Sequence, residues 1–390
     1  MPAKNYDYIF LGAGCASLSI IMRMIDSNKF DQKKILLMDR EPKTKNDRTW
    51  CFWEKGPGFF EDIVYSRWDH LLFKTGNTSI PLNIGSYEYK MIRGIDFYNK
   101  CFSVIKTAAN IDIVYGEISF EKGKEFSILK INNKLLARNS RTIVFNSLYI
   151  PTEKQPGKFY LLQHFKGWII EAAPGSLDAR PATLMDFRVS QNNGTAFVYV
   201  LPLSPTRALV EYTLFTENVL PVAAYDLALK NYLREFLGLD HYTILDEEFG
   251  IIPMTNASFP FFKDGMYYIG TAGGQTKAST GYTFNFIQKQ AGIIVQELLS
   301  GRTLSNQKAK KRFLFYDSTL LHILSKNLLP GKTIFSDLFK KNQADKVLKF
   351  LDNETSISEE IRLLNSLPKK VFIKAGFIEF GKMLFSRRKS

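Results

Sequence analysis

Residues 6–39 read YDYIFLGAGCASLSIIMRMIDSNKFDQKKILLMD: an apolar strand, a Gly12-x-Gly14 turn, a helix, and a second apolar strand closing on an acid. This order is that of a dinucleotide site. The first glycine permits a tight turn and the second lets the backbone approach a pyrophosphate. The phosphates then sit on the free N–H groups of the helix start, and the acid ending the second strand accepts from a ribose hydroxyl. Asp39 is that acid, about 25 residues beyond the turn, as the mechanism requires. Ser17 occupies the third small position and is expected to pack against the strand. The bland alternative is a pair of glycines that merely turn a loop.

The chain has 390 residues, 45% hydrophobic and 23% charged, enough for a sizeable core and two or three domains. Three scattered cysteines exclude a disulfide framework or zinc cluster and imply a reducing compartment. The four histidines share no metal-ligand spacing, so no metal is expected. Neither a signal peptide nor an apolar run of the roughly 20 residues needed to span a bilayer is visible. The expected location is cytoplasmic, attached peripherally to the inner face of the membrane.

Charge supports the last point. The net charge is +14, yet residues 301–390 hold nineteen Lys and Arg against eight Asp and Glu, so the basicity belongs to the C-terminal quarter. Phe313, Phe315, Leu328, Phe335, Leu338, Phe339, Phe372, Phe377, Phe380, Leu384 and Phe385 are interleaved there at helical spacing. Basic amphipathic helices with aromatic faces lie in the headgroup layer of anionic membranes. The same pattern fits a helical domain with aromatics in its core and lysines in solvent. No nucleic-acid motif accompanies the charge, so nucleic acid is not an expected partner.

Three parts are expected along the chain. Residues 1–157 and 258–305 make a discontinuous, Rossmann-like nucleotide domain, with Arg40–Gly58 a long functional loop. Phe126–Ile131, Lys134–Ala137 and Thr142–Phe145 form a small antiparallel meander. Residues 158–257 carry longer strands and one helix near 223–236, an inserted antiparallel β domain. Residues 306–390 form the basic helical segment. The overall class is α/β (α+β).

Two constellations carry chemistry. TAGGQTKASTGYTF (271–284) places Gly273, Gly274, Thr280 and Gly281 around a helix start, and with Gly270 it forms a second glycine turn. Two such turns from opposite ends of a chain hold both ends of a long cofactor such as FAD. Glu211 lies in the apolar run LPLSPTRALVEYTLF, on the same strand face as Leu209 and Thr213. Burial would raise its pKa toward values useful for proton donation; the alternative is an edge carboxylate in solvent. Asp186 in TLMDF presents the same choice.

These residues resemble the FAD-dependent lycopene cyclases, specifically the bacterial lycopene β-cyclases. The resemblance covers residues 5–300 and rests on DYIFLGAGCASLS, DRTWCFW, LLQHFKGWIIE, LMDFR, FVYVLPLSPTRALVEYT, FGIIPM and GTAGGQTKASTGYTF. It implies a flavin-monooxygenase-type fold, FAD active in its reduced form, NAD(P)H as reductant, and net non-redox cyclisation of the ψ-ends of lycopene or a related linear carotenoid to β-ionone rings. It places the essential acid at Glu211. The next position, often a second acid in relatives, is Tyr212, leaving Glu211 to act alone or with Asp186. Trp50, Phe52 and Tyr282 would face the carbocation through their π faces. Arg48 matches residues that reach the flavin or its pyrophosphate in related folds.

A flavin-dependent hydroxylase or isoprenoid reductase is the rival reading, and a non-catalytic lipid or carotenoid binder is the second. Gly270-Thr271-Ala272 and Asn146-Ser147 stand where such oxidoreductases usually show G-D-A and Asp-Gly, which favours the cyclase.

Overall fold

The computed structural model describes residues 5–386 except 122, 124–127, 137, 150–153 and 307–309. Phe126 and Ala137, the outer ends of two expected strands, therefore lie outside the described residues, as does the side chain of Phe385.

The apolar runs YIFL and ILLMD are buried at every position, as strands covered on both faces must be. They occupy the middle of a six-stranded sheet ordered Phe262–Lys263, Met266–Tyr268, Ile143–Asn146, Tyr8–Leu11, Ile35–Asp39 and Ile111–Tyr115. All pairings but that of the edge hairpin are parallel. Helix Cys15–Asp26 packs against helix Phe284–Leu299, so the chain returns to this layer after a long excursion. The segment expected to be the last meander strand is instead part of this sheet, pairing in parallel with Tyr8–Leu11. Its run IVFN has three buried residues in succession, which suits two-sided burial rather than a one-sided meander. The small antiparallel sheet comprises Ile118–Glu121, Ile128–Ile131 and Lys134–Leu135.

A second sheet has seven strands in the order Thr243–Thr255, Tyr160–Glu171, Arg207–Thr216, Thr195–Pro202, Ala182–Asp186, Leu71–Thr75 and Thr78–Leu82. The last two come from the first 157 residues, as a hairpin turned at Gly76 with φ +52°. Nor is Arg40–Gly58 a loop throughout: Thr49–Lys55 is a strand paired antiparallel with Tyr87–Arg93. Its aromatic-rich sequence TWCFWEK packs against both domains, which stabilises extended structure where Lys and Pro in the preceding residues argue for a loop.

One face of the seven-stranded sheet is covered by helix Val222–Leu237 through Tyr225, Leu229, Tyr232 and Leu233. The other receives helices Lys311–Ser325, Gly331–Lys341 and Ala344–Leu351, with Ile357–Asn365 behind them. Phe313, Phe335, Leu338 and Phe339 are buried there, so these positions of the C-terminal quarter are core. The last helix, Lys369–Ser386, differs. Ala375, Gly376 and Glu379 face inward, where Glu379 pairs with His322 at 2.7 Å, while Phe377 is 73% exposed and Ile373 and Phe380 more than half exposed. No helix among the described residues is long and apolar enough to cross a membrane.

Candidate active site

Gly12 adopts φ +91°, and a Cβ there would lie 2.5 Å from Ser147 Oγ. That hydroxyl donates to the carbonyls of Leu11 (2.8 Å) and Gly12 (3.1 Å), and buried Ser17 donates to it at 3.2 Å. Ser147 thus braces the first turn, a role that the sequence signalled only as a departure from Asp-Gly. Gly14 faces open space, and the helix it precedes has neither a side-chain cap nor an acid in its first turn. Its N–H groups are therefore left for an anion, and these residues fit a pyrophosphate. Asp39 accepts from the Ala13 N–H at 2.7 Å and pairs with Lys43 at 3.3 Å, so it also holds the glycine turn in place.

The second glycine turn meets the first. A Cβ at Gly270 would lie 2.8 Å from that of Ala16, at the start of the first helix. Gly273 passes against the Tyr268 carbonyl, and Gly274 ends the turn at φ +78°. Downstream, Gly281 has φ +74°, and a side chain there would collide with the Gln163 carboxamide of the seven-stranded sheet. The 271–284 segment is thus laid directly on the second sheet, and a cavity of about 470 Å³ lies at the junction. Arg48, Trp50, Thr280, Gly281 and Tyr282 line it, with Glu211. The buried oxygens Gln163 Oε1 and Thr280 Oγ1 have no hydrogen-bond partner. Two unpaired polar atoms around one cavity mark it as built for a ligand.

Glu211 and Glu248 define the chemistry of this cavity. Each lies opposite Gly167, Glu211 on one neighbouring strand and Glu248 on the other. With no side chain between them, the two carboxyls lean together over the central strand. A Cβ at Gly167 would stand 3.0 Å from Leu209 Cδ1 and 3.1 Å from Glu248 Cγ. Thr213 donates to Glu211 at 2.6 Å and Thr49 donates to Glu248 at 2.6 Å. Burial, reinforced by the charge of Glu248, pushes Glu211 well above the usual carboxylate range. Burial raises Glu248 as well, opposed by the hydrogen bond from Thr49 and by its hydrogen bond with Glu211. Like charges this close oppose ionisation of both members of the pair. Around it, burial keeps the phenols of Tyr89, Tyr199 and Tyr282 neutral, the last pushed up to about 12.

The face assignment of Glu211 agrees with the alternation, since Val210 and Tyr212 point into the core on the opposite side. The second acid comes from Glu248, which sequence reasoning missed. Its signal was Gly167 itself, a glycine inside the otherwise bulky strand LLQHFKGWIIE, which marks a close approach.

Two expected site residues lie elsewhere. Asp186 is fully buried on the helix-covered face, held by Arg188 through bonds of 2.6–3.0 Å and by the Tyr232 hydroxyl at 2.7 Å. A register shift in its strand between Thr183 and Asp186 hides this from simple alternation. Asp186→Asn is expected to destabilise the fold by about 3 kcal/mol, because Arg188 loses its partner. Thermal melting checks this, and the cavity should be unaffected. Phe52 is stacked on Phe284 at 4.4 Å in the core of the nucleotide domain; Cys51, its neighbour, faces the cavity instead. Trp50 and Tyr282 do reach the wall.

A mostly parallel sheet with two converging glycine turns, set against a mostly antiparallel sheet, defines a flavoprotein fold of the monooxygenase and reductase type. Solved structures agree. A geranylgeranyl bacteriochlorophyll reductase-like protein from Thermoplasma acidophilum matches with a TM-score of 0.61 at 12% identity, over 95% of this chain and 98% of that one. A flavoprotein/dehydrogenase from Cytophaga hutchinsonii matches with a TM-score of 0.56 at 11% identity, over 97% and 100%. These likenesses concern the fold. Residues 7–375 match the model of the lycopene cyclase protein family, and the chain belongs to that family, whose place is in carotenoid biosynthesis. Lycopene beta-cyclase of Pantoea ananas is 26% identical over 291 residues, 72% of this chain and 71% of that protein.

Proposed function

We propose that this protein is an isomerising lycopene β-cyclase that closes the ψ-ends of lycopene or a related linear carotenoid, with reduced FAD bound along the two glycine turns and NAD(P)H as reductant. The observation that carries this reading is the Glu211–Glu248 pair, two carboxyls brought together across Gly167, beside the 271–284 turn in an aromatic cavity.

Glu211 donates its proton to the terminal double bond, and the electrons of that bond form the new C–H bond. The tertiary cation left behind lies against the faces of Trp50 and Tyr282, each contributing about 1–2 kcal/mol when desolvated. The neighbouring alkene attacks, and loss of a ring proton to a carboxylate of the pair forms the double bond and restores the starting charge. One proton enters and one leaves, so the product is an isomer. Gly12, Gly14 and the first helix start would hold the pyrophosphate, Asp39 the ribose edge, and Arg48, Thr280 and Gly281 the flavin end. When bound there, reduced flavin would supply electron-rich stabilisation of positive charge.

Expression in a lycopene-accumulating host tests the reading. Chromatography should show ring-closed carotenoid of unchanged mass; added oxygen or hydrogen would indicate the oxidoreductase reading instead.

The substrate dissolves in bilayers rather than water. The stripe Ile373, Phe377 and Phe380, flanked by Lys369, Lys370, Lys374 and Lys382, supports peripheral docking on an anionic surface. Phe377→Glu/Phe380→Glu should lower flotation with anionic liposomes at least about tenfold, since burying each phenylalanine is worth roughly 1.5–3 kcal/mol. Unchanged flotation would leave docking to another surface.

A further inference from the structure

A second cavity of about 460 Å³, a size within the usual range of roughly 300–1,000 Å³ for ligand sites, lies among the C-terminal helices. Leu320, Leu338, Leu364, Phe372 and Phe380 are among its walls. Four of its polar side chains are engaged. Ser279 donates to Asp317 at 2.7 Å, and Asp317 also takes Lys277 at 2.7 Å. Tyr316 donates to Glu360 and Thr319 to the Phe315 carbonyl. The rest of the wall is mostly leucine, isoleucine and phenylalanine.

Two features tie the cavity to the acid pair and to the outside. Thr280 lines both cavities, is 5% exposed, and has an unpartnered hydroxyl, so one small residue borders both spaces. At the other end, Ile373, Phe377 and Phe380 of the last helix form the rim and are the exposed stripe described above. When one end of a long linear hydrocarbon lies at Glu211, the rest of it must leave that cavity without entering water.

We propose that the cavity among the C-terminal helices seats the distal half of the carotenoid, which passes Thr280 and exits at the rim of the last helix. The occupant is an apolar linear polyene, and the proposal rests on the carotenoid reading above. It gives the C-terminal quarter a role in binding as well as packing.

The test uses the full-length flavin-loaded protein and lycopene in liposomes. Gly376 is buried on the inner side of the last helix, where a Cβ would meet only Phe315 at 3.4 Å, so Gly376→Trp fills the cavity from one wall and Leu364→Trp from another. Each should lower kcat/KM for lycopene at least tenfold, with bound flavin and melting temperature at wild-type values. Placed in a Glu211→Gln background, each should weaken polyene binding, read as induced circular dichroism of the polyene, in the same proportion. If both variants fold and both cyclise and bind lycopene as the wild type does, the placement is overturned. If the wild-type protein itself leaves lycopene unchanged, it is the carotenoid reading that fails.

Discussion

Glu211→Gln is expected to lower cyclisation by about three orders of magnitude, because general acid catalysis contributes roughly 10²–10⁴-fold and the amide has no proton to give. The substitution keeps the shape of the side chain and its contact with Thr213, so flavin content should be retained; chromatography of carotenoids and the absorbance of bound flavin are the two readings. Wild-type turnover should be level at low pH and fall as pH rises through the raised value of Glu211. Glu248→Gln removes the charge that helps to raise it. The falling limb should therefore move to lower pH, with a turnover loss of about a hundredfold because the pair no longer has its second carboxylate. Stability carries the same sign. Folding raises Glu211 above its unfolded value, so its contribution is fully present below the unfolded pKa and is lost as pH rises through the folded one. Glu211→Gln lacks this titration, and its melting temperature should decline less than that of the wild type between acid and neutral pH. A wild-type pH profile with no falling limb would move the acid elsewhere.

Gly167→Val should have the second-largest effect. The methyl groups would occupy the space over which the carboxyls lean, already 3.0–3.1 Å from Leu209 and Glu248 for a lone Cβ. Overpacking of this kind costs about 1–3 kcal/mol, within what a domain of this size tolerates. The larger consequence is positional: separating the carboxyls by an ångström costs on the order of a hundredfold in turnover. The variant should retain its fold and flavin while the pH dependence of any residual activity resembles that of Glu248→Gln. Circular dichroism and pH–rate profiles check both statements. Activity near the wild-type level would show that the two acids act independently.

Local order carried the nucleotide end of the molecule in the sequence. Gly12, Gly14 and Asp39 fall within one strand–helix–strand unit, where spacing along the chain is spacing in space, and the structure places them where that unit requires. Glu211 was legible for a similar reason: alternation on a single strand fixes which face a side chain takes. Glu248 was not, because only the pairing of its strand across Gly167 brings one of the acids of LDEEFG over the central strand. Asp186 and Phe52 failed as site residues through the orientation of their strands, a register shift in one case and the choice of domain core in the other. The C-terminal lysines and phenylalanines admitted two readings that composition could not separate. Packing divides them, most of the phenylalanines closing the core and a single face of the last helix left outside.

The sequence by itself determined the strand–helix–strand unit with its glycine turn, the run of long strands after residue 158, the family and the strand face of Glu211, because each is written in residues that are neighbours or regular repeats along the chain. Tertiary structure alone decided that the acid has a partner and that Thr280 borders a second cavity as well as the first. Both depend on strands and helices from distant parts of the chain meeting at Gly167 and Thr280, and the order of residues does not specify such meetings until the sheets have packed.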